Sequence, residues 1–285
     1  MKKMKFKDSF SGASFEIIEI NKKLLLKKKF SKFSIKELNG FQKQKKFKPT
    51  HFNDIIVKSA NIKKICNKNN YILMEYSQGL SGSNLVINGN INTHNILNNF
   101  LKSYIESIFY NINFVPINKN LYQKKCLEIK KNVLKDNLNI YKKISAQLLK
   151  KLETIDYTIA GQCHGDLTLS NIIIEEDNKT IVLIDFLESY NDTPVQDICK
   201  IIQDIRFYWS SRFLKGSDFI RAKTFCDYLQ PFAIIKKLKI YDLVELEMIM
   251  TILRILPYIK LNDKITMNWI KKTFLMINRS FIKSL

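Results

Sequence analysis

The sequence predicts an α+β fold, with a small antiparallel β region at the N-terminus and a larger, mostly helical region after it. β-Branched apolar runs around short polar turns indicate hairpins at residues 15–29 and 172–184. Apolar residues three and four apart, from Thr93 onward and through the last hundred residues, indicate amphipathic helices. Early strands followed by runs of helices are typical of α+β architecture.

The composition is that of a globular protein. Of the 285 residues, 46% are hydrophobic and 12% are aromatic, which excludes broad disorder. No apolar run approaches the roughly 18 residues that a membrane span needs, and no apolar core follows the charged start at Met1 to Lys5. The five cysteines are widely spaced and lack the paired spacing of a zinc site, so the expected location is a reduced cytoplasm.

The formal net charge is +21, and such an excess attracts polyanions without specificity. Lys, Asn and Ile are abundant together, however, as expected when a genome rich in A and T biases codon choice, and no nucleic-acid fold motif accompanies the charge. The basic run from Lys43 to Lys48 is interpreted as a solvated face. No specific nucleic-acid partner is therefore expected.

The first predicted element is the N-terminal hairpin, whose strands at residues 15–20 and 23–29 flank a two-residue polar turn. A loop of small residues precedes it at residues 9–14 and contains Gly12 and Ser14. Small residues allow backbone N–H groups to approach an anion closely. The loop is therefore a candidate phosphate-binding segment.

A short helix and a further strand are predicted next. Ser34 and Glu37 have the spacing of a capping box, which predicts a helix starting at residue 35. Residues 70–76 form a strand pattern that leads into a stretch rich in Gly and Ser at residues 77–82. A boundary between two parts of the chain is therefore predicted near residue 78.

The later segments are predicted to be mostly helical. Apolar stripes indicate helices at residues 93–109 and 121–155, the second broken near Asn137. Pro194 marks a helix start, because proline is favoured at the first helical position. Pro257 is predicted to interrupt the C-terminal helices.

The most informative stretch places three polar residues around the second hairpin. Asp166 follows His164 and Gly165, Asn171 stands five residues after Asp166, and Asp185 follows the second strand. Antiparallel pairing sets the residue before the first strand beside the residue after the second, so Asn171 and Asp185 are expected to converge on one Mg²⁺. Asp166, in the loop before that hairpin, is then placed to accept a hydroxyl proton. This order of side chains is that of a phosphoryl-transfer site.

This stretch resembles the aminoglycoside phosphotransferase and choline kinase family, whose catalytic loop reads His-Gly-Asp-x-x-x-x-Asn and whose metal loop reads Ile-Asp-Phe. The resemblance implies a two-lobed, protein-kinase-like fold, with a nucleotide-binding lobe at residues 1–78 and a catalytic and substrate-binding lobe at residues 79–285. It also implies ATP and Mg²⁺ as cofactors and a small molecule with a hydroxyl group as acceptor. Thr168 departs from the many relatives that carry a positive charge near that position.

The resemblance further implies roles around the nucleotide. The loop with Gly12 and Ser14 would cover the phosphates, and a strand lysine would clamp the α- and β-phosphates. Lys27 is the predicted clamp, and Lys28 is the alternative because a slip of one residue reverses the face of a strand. Glu37 is either the partner of that lysine or only part of the capping box.

Met74, Glu75 and Tyr76 take the place of the hinge, whose backbone groups read the adenine edge in the resembled family. Asp197 is predicted to brace the catalytic loop, with His164 as a second supporting residue. An alternative for Asp197 is simple complementarity with the helix dipole, which favours an acidic residue in a first turn.

The acceptor is expected to be a sugar, a polyol or an amino alcohol, because a polycationic aminoglycoside needs clustered carboxylates and the C-terminal region has few. The run from His164 to Arg212 also resembles bacterial phosphotransferases of surface-polysaccharide genes. The candidate acceptor contacts are Glu188, Tyr190, Asp192, Arg206, Trp209 and Arg212. The alternatives are a nucleotide-binding pseudokinase, an aminoglycoside or protein kinase, and a nucleic-acid-binding module.

Overall fold

A computed structural model describes residues 13–52, 54–110, 112–175 and 179–278, together with the backbone of strand β1 (Met4–Phe6). The chain forms two compact units. The first unit contains Met1–Gly82 and Asn171–Glu188, and the second contains Ser83–Ser170 and Ser189–Leu285. The α+β class predicted from the sequence is confirmed, and the lobe boundary near residue 78 stays a prediction.

The first unit contains an antiparallel sheet of five strands in the order β1-β2-β3-β7-β6. The strands after β1 are β2 (Ser14–Ile20), β3 (Lys23–Lys29), β6 (Ile62–Cys66) and β7 (Tyr71–Glu75). The predicted N-terminal hairpin is confirmed as β2 and β3. Its turn residues Asn21 and Lys22 have φ values of 50° and 60°, the left-handed conformation of a tight two-residue hairpin turn.

A second sheet of the first unit has the order β4-β5-β12-β11-β8. Its strands are β4 (Thr50–Phe52), β5 (Ile55–Ser59), β8 (Leu80–Ser81), β11 (Ile172–Glu175) and β12 (Thr180–Leu183). The predicted second hairpin is confirmed as β11 and β12. Its β12 strand pairs in parallel with β5, which the sequence did not predict.

Helix α1 (Ile35–Lys46) lies in the first unit and begins at the predicted capping box of Ser34 and Glu37. Three aromatic rings, those of Phe30, Phe33 and Phe41, pack with centroids 5.2 to 5.7 Å apart. They belong to a core that also includes buried side chains of the first sheet. Helix α1 is thereby fixed to that sheet by apolar packing.

The second unit is mainly helical and includes one antiparallel pair of strands, β9 (Asn113–Pro116) and β10 (Tyr157–Ala160). The helices are α2 (Gly82–Asn88), α3 (Ile91–Ile108), α4 (Lys119–Asn132), α5 (Leu138–Glu153), α6 (Pro194–Ile205), α7 (Gly216–Tyr228), α8 (Ala233–Leu238), α9 (Tyr241–Leu253) and α10 (Lys264–Asn278). The predicted break near Asn137 is confirmed as a short 3₁₀ turn between α4 and α5. None of the helices in the described residues has the length and hydrophobicity to cross a membrane.

Helix α6 is almost completely buried along its length. Thr193 caps it, with its hydroxyl accepting a hydrogen bond from the Val195 N–H, and Pro194 occupies its first turn as predicted. It packs beside α9, where the Cys199 thiol lies 3.5 Å from the Val244 carbonyl oxygen. Charged residues on such a helix need partners inside the protein, because unpaired buried charges are costly.

Candidate active site

In the first unit, the β11–β12 hairpin carries Asn171 and Asp185 at its two open ends. Ile172 pairs with Leu183, and the Ile184 N–H donates to the Asn171 carbonyl at 3.1 Å. Backbone pairing therefore sets Asn171 beside the end of β12, one residue before Asp185. The geometry follows from strand register, as the sequence predicted.

Asp185 adopts a φ of 59°, in the left-handed region that residues other than glycine rarely occupy. Aspartate tolerates this region better than most residues, and such conformations concentrate at functional sites. The Lys28 ammonium lies 2.7 Å from the Asp185 carboxylate, and the Lys28 side chain is only 8% exposed. A buried ammonium beside a partly exposed carboxylate forms a polar centre at this end of the hairpin.

The structure places Lys27 on the other face of β3. Its ammonium lies 3.7 Å from the Glu16 carboxylate and 4.9 Å from the centre of the Tyr71 ring. Side chains alternate along a strand, so Lys27 and Lys28 point to opposite sides. Lys28, the register alternative, is therefore the lysine that contacts Asp185.

Glu37 is held by the capping box at the start of α1. Its carboxylate accepts from the Ser34 N–H at 2.7 Å, and the Ser34 hydroxyl accepts from the Glu37 N–H at 3.2 Å. The ion pair of Lys28 is with Asp185 rather than with Glu37. The capping alternative therefore describes what Glu37 does in this structure.

Helix α1 instead contacts residues 185–188, here called the Asp185 loop. A Cβ atom at Gly40 would lie 2.2 Å from the Phe186 carbonyl oxygen, so only glycine permits this approach. Lys43 donates to the Leu187 carbonyl at 3.0 Å, and Asn39 donates to the Glu188 carboxylate at 2.9 Å. Three residues of α1 thus support the loop that carries Asp185.

The predicted hinge residues lie at the end of β7. Met74 is buried in the core. The Glu75 N–H donates to the Asn61 carbonyl at 3.0 Å, and the Tyr76 N–H donates to the Leu24 carbonyl at 3.2 Å. These two N–H groups are therefore used in bonds to neighbouring backbone segments, and the hinge role of residues 74–76 stays a prediction.

The predicted phosphate loop at residues 9–14 lies mostly outside the described residues. Gly12 lies outside the described residues, whereas Ser14 is an exposed residue at the start of β2. The roles predicted for both stay predictions.

In the second unit, residues 164–169 form a loop, here called the Asp166 loop, that is fixed by a buried carboxylate of α6. Asp197 accepts from the His164 N–H at 2.6 Å and from the Gly165 N–H at 2.9 Å. Gly165 has a φ of 89°, which requires glycine. The ring of His164 is buried, and its Nδ1 accepts from the Asp166 N–H at 3.2 Å. Asp197 and His164 thus hold the backbone on both sides of Asp166.

A second buried carboxylate, which the sequence analysis missed, holds the far end of the same loop. Asp204 accepts from the Leu169 N–H at 2.6 Å and from the N–H and hydroxyl of Ser210 at 3.1 and 2.7 Å. Burial raises the pKa of Asp204 to about 6, although these hydrogen bonds oppose the rise. Asp197 and Asp204 are seven residues apart on one face of α6, a spacing visible in the sequence.

Asp166 itself contacts a lysine of α6. The Lys200 ammonium lies 2.9 Å from Asp166 Oδ1. Burial alone raises the pKa of Asp166, but the charge and hydrogen bond of Lys200 and the charge of Arg254 more than offset it, so that its pKa lies below the usual value. Asp166 is therefore a carboxylate at neutral pH and can accept a proton.

Three of the candidate acceptor contacts serve the scaffold of the second unit. Arg206 donates to the Cys226 and Leu229 carbonyls at 2.8 and 2.6 Å. Arg212 stacks 3.5 Å from the centre of the Trp209 ring and donates to the Trp209 carbonyl at 2.7 Å. These side chains tie the segment after α6 to its neighbours.

The other candidates differ in their surroundings. Glu188 accepts from Asn39 in the first unit, as described above. In the second unit, the exposed Asp192 accepts from the Ser189 N–H at 3.2 Å. The Tyr190 hydroxyl donates to the buried Glu247 carboxylate, which also accepts from the Tyr122 hydroxyl at 2.5 Å. Tyr190 therefore belongs to a buried network that the sequence did not indicate.

The chemistry of the donors fits a magnesium ion. The amide oxygen of Asn171 and the carboxylate of Asp185 are the hard oxygen ligands that Mg²⁺ prefers, and Mg²⁺ commonly keeps several waters beside one or two protein ligands. Within the described part of the chain, no group of three or more His, Cys, Asp or Glu side chains is arranged to hold a metal.

The fold of the chain is of the protein-kinase-like class. The sequence model of the ecdysteroid kinase-like family matches residues 59–204, which is just over half of the chain. The chain belongs to this family. No functionally curated protein matches the sequence significantly.

Solved structures show the same fold at low sequence identity. An apo form of a thermostable mutant of aminoglycoside phosphotransferase APH(4)-Ia is 12% identical with a TM-score of 0.62, over 98% of this chain and 94% of that chain. Another structure of that phosphotransferase is a ternary complex with ADP and hygromycin B. A glucosamine kinase in complex with glucosamine, ADP and inorganic phosphate is 8% identical with a TM-score of 0.51, over 95% and 80% of the two chains. The recognition of a kinase-like family from the sequence is confirmed.

Proposed function

We propose that this protein is an ATP- and Mg²⁺-dependent phosphotransferase that moves the γ-phosphoryl group to a hydroxyl of a small molecule. The observation that carries the proposal is the ion pair of Lys28 and Asp185 at 2.7 Å, at the open end of the hairpin that also carries Asn171. A buried cation beside a carboxylate, at the hairpin end that also carries an amide oxygen, is suited to a metal-bound polyphosphate. Proteins of similar fold form complexes with ADP, the product of phosphoryl transfer from ATP, which supports ATP as the donor.

Each residue has a distinct task in this proposal. Asn171 and Asp185 hold Mg²⁺, which when bound neutralises charge on the phosphate oxygens. Lys28 donates to the nucleotide phosphates and takes the role first predicted for Lys27, because Lys28 is the lysine on the Asp185 side of β3. Asp166, as a carboxylate, accepts the proton of the acceptor hydroxyl and orients its oxygen.

We propose a sugar, a polyol or an amino alcohol as the acceptor. Lys200 and Arg254 both place positive charge around Asp166, which disfavours a polycationic acceptor there. The glucosamine kinase shows that this fold accommodates an amino sugar. A place in bacterial surface-polysaccharide biosynthesis belongs to the same proposal and requires that the acceptor be a sugar or a polyol.

The test is Mg²⁺-dependent ADP release from ATP in the presence of an acceptor panel of glucosamine, glycerol, ethanolamine and hygromycin B. Asp166→Asn and Asp185→Asn are compared with the wild type and with Asp242→Asn, an exposed carboxylate paired with Lys151. We expect acceptor-stimulated turnover that falls by on the order of 10³-fold or more in both site variants and is unchanged in Asp242→Asn. Binding of Mg-ATP without turnover would instead support a nucleotide-binding scaffold, and turnover that survives in Asp185→Asn would refute the assigned site.

A further inference from the structure

One face of α6 presents three charged side chains to the Asp166 loop. Asp197, Lys200 and Asp204 stand at positions i, i+3 and i+7, which share a face of a helix. The two aspartates accept backbone N–H groups at the two ends of the loop. Lys200, between them, contacts a side chain of the loop rather than its backbone, because its ammonium lies 2.9 Å from Asp166 Oδ1.

The Lys200 side chain is largely buried, with 15% of its surface exposed. Ordering a long side chain and removing its charge from water both cost free energy, so this placement needs a compensating partner. The Asp166 loop contains no lysine or arginine of its own. Arg254, the residue after α9, also places positive charge near Asp166.

We propose that Lys200 is a positioning residue for the phosphoryl transfer: its ammonium fixes the orientation of the Asp166 carboxylate towards the acceptor hydroxyl. The inference rests on the proposed function. In that reaction the acceptor O–H bond breaks and its proton passes to Asp166. The acceptor oxygen forms the bond to the γ-phosphorus, and the bond to the β–γ bridging oxygen breaks to release ADP.

The position of Lys200 predicts which kinetic constant responds to its loss. A carboxylate that is free to rotate still lets the nucleotide bind, but it spends less time aligned with the acceptor hydroxyl. The turnover number should therefore fall, whereas the KM for ATP should stay unchanged. Loss of the positive charge also makes protonation of Asp166 easier, so the acidic limb of the pH–rate profile should move to higher pH.

The experiment measures kcat and KM of Lys200→Met and Lys200→Arg between pH 5 and 9, with the panel acceptor that the wild type turns over fastest. The matched control is Lys151→Met, because Lys151 is also largely buried, at 18% exposure, and pairs with Asp242 and Glu245 at 2.7 and 2.8 Å. We expect kcat of Lys200→Met to fall about 10- to 100-fold and its acidic limb to rise by about one pH unit. Lys200→Arg should recover most of the loss, and Lys151→Met should keep the wild-type kcat.

The outcomes separate the two proposals. A wild type that turns over an acceptor, together with a Lys200→Met variant within threefold of its kcat, would overturn the role of Lys200 and leave the proposed function intact. A loss of kcat without a shift of the acidic limb would also overturn it, since general destabilisation of the fold moves no pKa. If the wild type has no turnover with any acceptor, the inference falls with the proposed function. Lys200→Gln replaces Lys200→Met in the same comparison if the methionine variant does not fold.

Discussion

The hairpin that carries Asn171 and Asp185 and the loop that carries Asp166 are fixed by different means. The hairpin ends are set by backbone pairing between adjacent strands, β11 and β12. The Asp166 loop is held by side chains of α6, which lies about 30 residues further along the chain. Two aspartates there bind the backbone, and Lys200 binds the carboxylate itself.

We expect these two kinds of positioning to respond differently to substitution. A hairpin end is determined by many backbone hydrogen bonds, and no single side chain decides its place. A loop held by a few buried carboxylates depends on each of them, because removal of one acceptor leaves buried N–H groups without a partner.

At the hairpin, a single charge contact should control activity without controlling the fold. Lys28→Met is expected to lower kcat/KM for ATP by about 100-fold, because its ammonium is the buried cation beside Asp185. Lys27→Met, on the opposite face of β3, should change it less than about threefold. Steady-state ADP release measures both. Equal losses in the two variants would contradict the assignment of Lys28.

At the Asp166 loop, a conservative substitution of Asp197 should lower the stability of the folded protein. In Asp197→Asn, the side-chain amide has one acceptor oxygen for two backbone N–H groups, those of His164 and Gly165. We expect the free energy of unfolding to fall by about 2 kcal/mol, with kcat reduced as well. Urea unfolding, with Asp242→Asn as the control, measures this change. An unaltered unfolding free energy would show that the loop does not depend on this carboxylate.

The Asp185 loop offers a test of close packing. Replacement of a helical glycine by alanine usually stabilises a helix by up to about 1 kcal/mol. Gly40→Ala should instead lower the free energy of unfolding by about 1.5 kcal/mol, because the new Cβ would overlap the Phe186 carbonyl oxygen. Gln42→Ala, at an exposed position of the same helix, is the matched control. A stabilised Gly40→Ala variant would mean that α1 and the loop separate easily.

The smallest expected effect is the contribution of Asp204 to the pH dependence of the free energy of unfolding. The pKa of Asp204 is raised to about 6, so the folded protein binds this proton more readily than the unfolded chain does. Asp204 therefore adds stability as pH falls from 7 to 5, on the order of 1 kcal/mol. Asp204→Asn should lose that gain when unfolding is compared at the two pH values. The same pH dependence in the variant and the wild type would disprove the assigned titration.

The predictable parts of the structure are those fixed by neighbours in sequence. The hairpins, the capping box at Ser34, the break near Asn137 and the helix start at Pro194 were predicted because turn and cap residues act within a few positions. The pair of Asn171 and Asp185 was predicted for the same reason, since the hairpin between them is short.

Which lysine of β3 lies on the side of Asp185 could not be predicted from the sequence. Lys27, Lys28 and Lys29 are consecutive, so the pattern itself gives no register. The register comes from pairing with β7, where Lys28 is opposite Ile72, more than 40 residues away in sequence. Glu37, the expected partner of that lysine, forms the capping box with the nearby Ser34 instead.

Lys200 and Asp204 were missed because the loop residues that they contact, Asp166 and Leu169, lie more than 30 residues earlier in the chain. A signal was present all the same. The two residues are charged, lie in a helix that is buried almost throughout, and share a face with Asp197. Charges in a helix buried on all sides need internal partners, so this pattern indicates polar contacts even before their location is known.

The parallel pairing of β12 with β5 has a consequence for biosynthesis. The second sheet of the first unit lacks its central strands until residues 172–183 have left the ribosome, about a hundred residues after the N-terminal segment of that unit. At the usual rates of translation, the early strands wait roughly 5–20 s for this partner. During that interval β5 exposes an unpaired edge, of the kind that chaperones cover and that neighbouring nascent chains can join.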